Sequence, residues 1–276
     1  MKKRFELMRQ HFERSIALLE AGNPGAASDE LTQALKHAPR GRRGAVYLFR
    51  ARAAGDRHDW QALIDDATAA VRFDPTLGLA FGLRAAAHLT LGHPAQAIAD
   101  FTAMLRLHPD APPAYLLRGN AYLETGDFEH ALADFNVADR LDATMLDLYL
   151  NRGKALCGLR KWKPAIADFT HAVRLNQQPA VAYHLRAICW QCLGDLERAI
   201  DDLDQAIQLR PNDSLAYRGR ATCYRALGDQ RRARADDERA AELGGDSEYL
   251  SDLAAIETWP VAIGFIQSRS NPQSPI

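Results

Sequence analysis

The sequence predicts an all-α chain built from repeated two-helix units, and three observations predict it. First, the stretch 115–141 carries Tyr115, Gly119 and Tyr122, then a Gly126-Asp127 break, then Ala131, Phe135 and Ala138. The spacing i, i+4, i+7 places each trio on one stripe of a helix. Gly126 suits the left-handed residue that ends the first helix, and Asp127 suits the cap that begins the second. Second, a shift of thirty-four residues returns the same unit on either side: Phe81, Arg84-Ala85, Gly92, Ala97, Phe101 and Pro109 upstream, then Tyr149, Arg152-Gly153, Ala165, Phe169 and Ala172 downstream. Third, the apolar content is ordinary, and no run of about eighteen apolar residues occurs. The helices therefore bury their faces against one another, with no membrane insertion.

Taken in order, residues 1–7 are a charged lead-in. The first unit, 8–43, holds Gly22-Asn23, Ala27, Leu31, Ala34 and Pro39. Its register is two residues longer because of Arg40-Gly41-Arg42-Arg43, which reads as an exposed turn. The second unit, 44–77, holds Tyr47, Arg50-Ala51, Asp59-Trp60, Leu63, Ala67, Ala70 and Pro75, with His58 where a glycine is expected. Five further units follow without a slip, at 78–111, 112–145, 146–179, 180–213 and 214–247. In the unit 146–179 Arg160-Lys161 replaces Gly-Asp, so that turn must reach its geometry without glycine. Asp237 stands where Phe101, Phe135 and Phe169 stand, which is costly inside a stack and tolerable where the stack ends. After Gly244-Gly245 a capping helix is expected over 248–258, followed by a partly disordered tail, 259–276, with a short apolar segment at 261–266.

The order Tyr…Gly…Tyr…Ala…Phe…Pro at this period resembles the tetratricopeptide repeat (TPR) over about 8–247. The resemblance implies a right-handed superhelical solenoid of seven units with covered ends. It also implies a concave side lined by the first helices, where segments of partner proteins dock.

Net charge is −1 and the isoelectric point about 6.8, so no broad basic field exists to hold nucleic acid. Lys2-Lys3-Arg4 opens the chain like a secretory leader, but Glu6, Arg9, His11, Glu13 and Arg14 leave no apolar region behind it. Four cysteines in this length give no disulfide framework. A cytoplasmic protein is expected, and the Ala/Arg-rich style suggests a bacterial one.

The most regular feature is charged. Arg50, Arg84, Arg118, Arg152, Arg186 and Arg220 recur in step with Asp66, Asp100, Asp134, Asp168, Asp202 and Asp236. Arg14 with Glu30 makes a looser pair. Arg118 lies eight residues before Gly126 and Asp134 eight after it, so an antiparallel hairpin sets them level. A structural ion-pair ladder that fixes helix register is preferred to a ligand-binding ladder, because each charge has a partner in its own unit.

Cys189-x-x-Cys192 has the form of half a metal site, with Cys157 in a register near Cys192. Yet Cys189 and Cys223 fill the register of Ala53, Ala87, Ala121 and Ala155, so they read as small core residues. No metal site and no cofactor is expected. No His-Glu-x-x-His, Gly-x-Ser-x-Gly or Gly-rich phosphate loop occurs, so the chain is not expected to be an enzyme.

The resemblance implies that the stripe about 120° from the packing stripe of each first helix lines the concave side and is the candidate partner-binding groove. Its residues are Leu79, Ala86, Leu116, Asn120, Leu123, Leu150, Lys154, His184, Ile188, Arg218 and Arg225, with Leu48, Arg52, Gly82 and Leu89 in matching registers. Between-helix packing is the competing place for Leu89 and Leu123. The middle is apolar and Arg218 with Arg225 makes the C-terminal end basic. The Lys/Asn clamp by which related co-chaperone repeats hold a terminal carboxylate is not present as such, since only Asn120 and Lys154 remain. The chain is thus expected to be a protein–protein interaction scaffold that takes an extended or helical segment with an acidic end. The alternatives are a self-assembling repeat protein and a metal- or redox-responsive one using Cys157, Cys189 and Cys192. Leu116→Glu with Leu150→Glu is expected to abolish binding without unfolding.

Overall fold

Apolar periodicity near 3.6 becomes helix throughout. A computed structural model describes residues 2–145, 147–175 and 178–244, and among these there are fourteen helices and no strand. The chain divides into two compact units, Met1–Thr125 and Gly126–Ile276. The division falls inside the repeat 112–145. The first unit holds α1 (Lys2–Glu20), α2 (Pro24–His37), α3 (Arg40–Asp56), α4 (Trp60–Phe73), α5 (Gly78–Thr90), α6 (Pro94–Leu107) and α7 (Pro112–Glu124). The second holds α8 (Phe128–Leu141), α9 (Leu148–Gly158), α10 (Trp162–Arg174), α11 (Pro179–Leu193), α12 (Leu196–Leu209), α13 (Ser214–Ala226) and α14 (Gln230–Leu243). Within each unit the helices pair sequentially as helix-turn-helix repeats, and first helices also touch, α3 with α5, α5 with α7, α9 with α11 and α11 with α13. The fold is an all-α solenoid of the tetratricopeptide type.

The turns show why the pairs form. The side chains of Asn23, Asp59, Asp127, Asp195 and Asp229 each accept the backbone N–H three residues on, satisfying a donor that the new helix cannot pair. The residue before most of these caps is left-handed, as at Gly126 with φ 75° and Gly194 with φ 81°. Where glycine is missing the geometry is kept: His58 has φ 58° and Arg160 has φ 56°.

Small residues let the helices approach. A Cβ added at Gly153 would lie 2.5 Å from the Phe169 ring, so α9 and α10 meet there backbone to ring. Phe101 and Leu105 of the first unit, and Phe169 and Leu203 of the second, fill the cores that Ala85, Ala97, Ala165 and Ala199 leave room for. Asp237, in the Phe register, is exposed on α14.

One expectation is corrected. Residues 40–43 are not a turn: Arg40, Gly41 and Arg42 are exposed and Arg43 is half-buried, but they form the first turn of α3, with Pro39 as its cap. Proline's fixed φ and missing N–H make it compatible with a helix start. The charged lead-in, expected as the first turn of a helix, is helical from Lys2. The capping helix expected at 248–258 and the tail at 259–276 lie outside the described residues.

Candidate functional site on the first helices

In the first unit the stripe is open. Leu79 on α5 is 63% exposed, the highest value among the large apolar side chains. Ala86 is exposed one turn beyond the half-buried Gly82. Leu116, Asn120 and Leu123 on α7 are half-buried, and so is Leu48 on α3. Leu89 packs partly on the core formed by Ala85, Phe101 and Ala114. The stripe also carries Arg52, which is exposed.

In the second unit the same registers are largely closed, and this corrects the sequence reading. Leu150 is 2% exposed and belongs to one core cluster with Val181, Leu185 and Leu215. His184 is 5% exposed, with Nδ1 3.6 Å from Asp213 Oδ2. Ile188 packs against that core, and Lys154 is half-buried. Val181 and Leu215, in the register of Leu79 and Pro113, are buried here in the same cluster as Leu150. Leu150 and His184 are therefore interior positions, not groove positions. Arg218 and Arg225 are exposed on α13, but Arg225 Nη2 lies 2.6 Å from Asp237 Oδ2. The expected basic end is thus half neutralised by the next helix.

The charged residues are placed with high regularity. In Arg50–Asp66, Arg84–Asp100, Arg152–Asp168, Arg186–Asp202 and Arg220–Asp236 the guanidinium Nε donates to Oδ2 at 2.8 Å and Nη2 to Oδ1 at 2.6 to 2.8 Å. The five aspartates are buried. Asp134 is also buried, and Arg118 donates to Thr102 Oγ1 at 3.0 Å. The hydrogen bond to the unit's own aspartate holds the Arg50, Arg152, Arg186 and Arg220 guanidiniums above the usual arginine range, against the opposing effect of burial. Glu30 Oε2 accepts from His11 Nδ1, 2.6 Å away, while Arg14 is exposed; the looser pair is His11–Glu30 rather than Arg14–Glu30.

Sequence reasoning missed the third partner of each arginine. Arg50 reaches Thr32, Arg84 reaches Thr68, Arg186 reaches Thr170, and Arg152 reaches Asn136 and Asp139, all on the second helix of the preceding repeat. Arg220 does the same with Asp204. The signal was present in sequence, because 68, 102, 136, 170 and 204 are thirty-four apart. Each guanidinium also lies over the aromatic ring three residues before it, at 5.3 to 5.7 Å. These groups are all engaged within the protein.

Cys157 Sγ lies 3.2 Å from Cys189 Sγ, both buried, so Cys157 faces Cys189 and not Cys192 as the register suggested. Gln191 Nε2 donates to the Cys223 sulfur. Burial pushes the Cys192 and Cys223 thiols up to about 11. Among the described residues no group of three or more His, Cys, Asp or Glu side chains could hold a metal ion, and no helix is long and apolar enough to cross a membrane.

Two family models, both described as tetratricopeptide repeat, match residues 83–145 and 180–213. A search of curated proteins finds no match. Among solved structures, a tetratricopeptide repeat protein from Parabacteroides merdae superimposes with a TM-score of 0.62 at 17% identity, covering 95% of this chain and 99% of its own. YrrB, described as a TPR protein with an unusual peptide-binding site, gives 0.56 at 21% identity over 68% and 97% of the two chains. MamA from Desulfovibrio magneticus RS-1 gives 0.58 at 20% identity over 62% and 97%. At these identities the likeness is one of fold.

Proposed function

We infer the function from one premise: this chain is a tetratricopeptide repeat protein, and such repeats generally mediate protein–protein interaction. We propose that it is a binding scaffold, without catalysis or cofactor, whose working surface is the first-helix face of the unit Met1–Thr125. The observation that carries this is Leu79, a large apolar side chain left 63% exposed on α5 beside the small Ala86 and the half-buried Leu116. Leu48, Leu116 and Leu123 stand half-buried in matching registers, and a contiguous apolar stripe, unlike a single exposed leucine, is the kind of surface that interaction sites use. An apolar or amphipathic peptide segment is the partner that such a face receives, and the peptide site named for YrrB is consistent with that. The division into seven repeats at 8–43 through 214–247, the ladder as a register device and a cytoplasmic location belong to the same proposal. Weak self-association is the second reading; α14 disfavours end-to-end stacking, since Arg231, Arg234 and Asp237 are exposed on it.

The test is selection of peptides from a random display library on the whole protein and on the Leu79→Glu/Leu116→Glu variant. Peptides that bind the first and not the second, with the helical circular dichroism of both alike, are the expected outcome. Equal enrichment on both would place the working surface elsewhere.

A further inference from the structure

Arg52, on α3 at the open face, is exposed and among the described residues makes no hydrogen bond or ion pair, not with Asp56 one turn on either. By contrast Arg50, two residues earlier, is held by Asp66 and Thr32, and Arg84 by Asp100 and Thr68. The registers on either side of Arg52 are apolar: Leu48 shares its helix, Leu79, Gly82 and Ala86 follow on α5, and Leu116 on α7. Asp56, one turn on from Arg52, and Glu124 in the same register of α7 are the acids of this stripe, exposed at its turn end. A Cβ at Gly82 would lie 2.7 Å from Met104 Sδ, which packs on the core of α5 and α6, so the bare glycine lets these helices approach.

An apolar floor gives affinity with little direction, whereas a single exposed guanidinium gives direction and prefers a carboxylate it can bond with two N–H groups. We propose that this face takes an apolar segment of another protein carrying an internal Asp or Glu side chain, and that this carboxylate pairs with Arg52 and sets the direction of the segment across α3, α5 and α7. This rests on the first-helix face of the first unit being the working surface.

The probe is the strongest binder from the display selection, made as a fluorescein-labelled peptide with an amidated C-terminus and read by fluorescence anisotropy. An acidic residue among apolar ones is expected, with about a tenfold or greater loss of affinity on Arg52→Glu. Changing that acidic residue to Lys should restore binding to the Arg52→Glu protein and weaken it to the unaltered one. Added salt should weaken the unaltered complex more than the Arg52→Gln complex. Leu79→Glu separates the two levels of the proposal. Binding lost with Leu79→Glu but unchanged with Arg52→Glu overturns the carboxylate and keeps the face. Binding unchanged with Leu79→Glu, or a selection that enriches nothing, overturns the face itself. A peptide that binds only with a free C-terminus overturns the side-chain carboxylate in favour of a chain end.

Discussion

Arg84 places two bonds on Asp100, one on Thr68 and its cation over the Phe81 ring. Asp100 is buried, so Asp100→Ala strands a guanidinium and should cost about 3 kcal/mol in urea unfolding. Thr68→Val removes one hydrogen bond and should cost about 1 kcal/mol. A double-mutant cycle of Arg84→Ala with Asp100→Ala that shows no coupling would contradict the register role. The aspartate was legible from its period. The threonine was not singled out, because a hydroxyl on an exposed helix face looks ordinary until the guanidinium is seen to reach it. The cysteines give a second prediction at this scale. Cys189→Ala and Cys223→Ala should each cost about 1 kcal/mol or less, since one heavy atom is lost and other repeats use Ala there. The Cys223 thiol is raised from 9.0 to about 11 by burial. Its contribution is therefore whole below about pH 9 and lost as pH rises through 11, because the unfolded thiol gives up its proton first. Unfolding midpoints measured from pH 8 to 11 should fall more steeply for the unaltered chain than for Cys223→Ala.

At the scale of the element, the turns inside the two-helix pairs were legible down to single residues, whereas the link 40–43 was misread, being the first turn of α3. The Gly-Asp break marked where one helix ends and the next begins, and its absence at Arg160-Lys161 marked a turn under strain. Arg160 holds φ 56° without glycine, and Lys161 caps α10 with no side-chain bond. Arg160→Gly should stabilise by about 1 kcal/mol by relieving a left-handed side-chain residue, and Lys161→Asp by about 1 kcal/mol by supplying the cap. Thermal or urea unfolding checks both, and a loss of stability on either change would contradict the assignment of that turn. The stripe facing outward was less legible. The same register is half-buried at Leu116 and closed at Leu150, which shares one core cluster with Val181, Leu185 and Leu215. The run Leu148, Tyr149, Leu150, all buried, was the sequence hint of a helix covered on more than one face. Leu150→Glu should now unfold the second unit rather than test binding.

For the whole molecule, the all-α repeat architecture followed from a period that never slips after residue 44. That same continuity hid the division into two compact units, since nothing in the repeat 112–145 breaks the pattern. It also hid the difference between the two first-helix faces, which lies in side-chain burial rather than in spacing. The central claim is that the open face of Met1–Thr125 is the docking surface. Methyl NMR with a selected apolar peptide tests it most directly. The methyl signals of Leu79, Leu116 and Leu123 should shift as peptide is added, with the buried Leu150 and Leu185 unmoved. Shifts confined to residues beyond Gly126, with Leu79 and Leu116 unaffected, would contradict it.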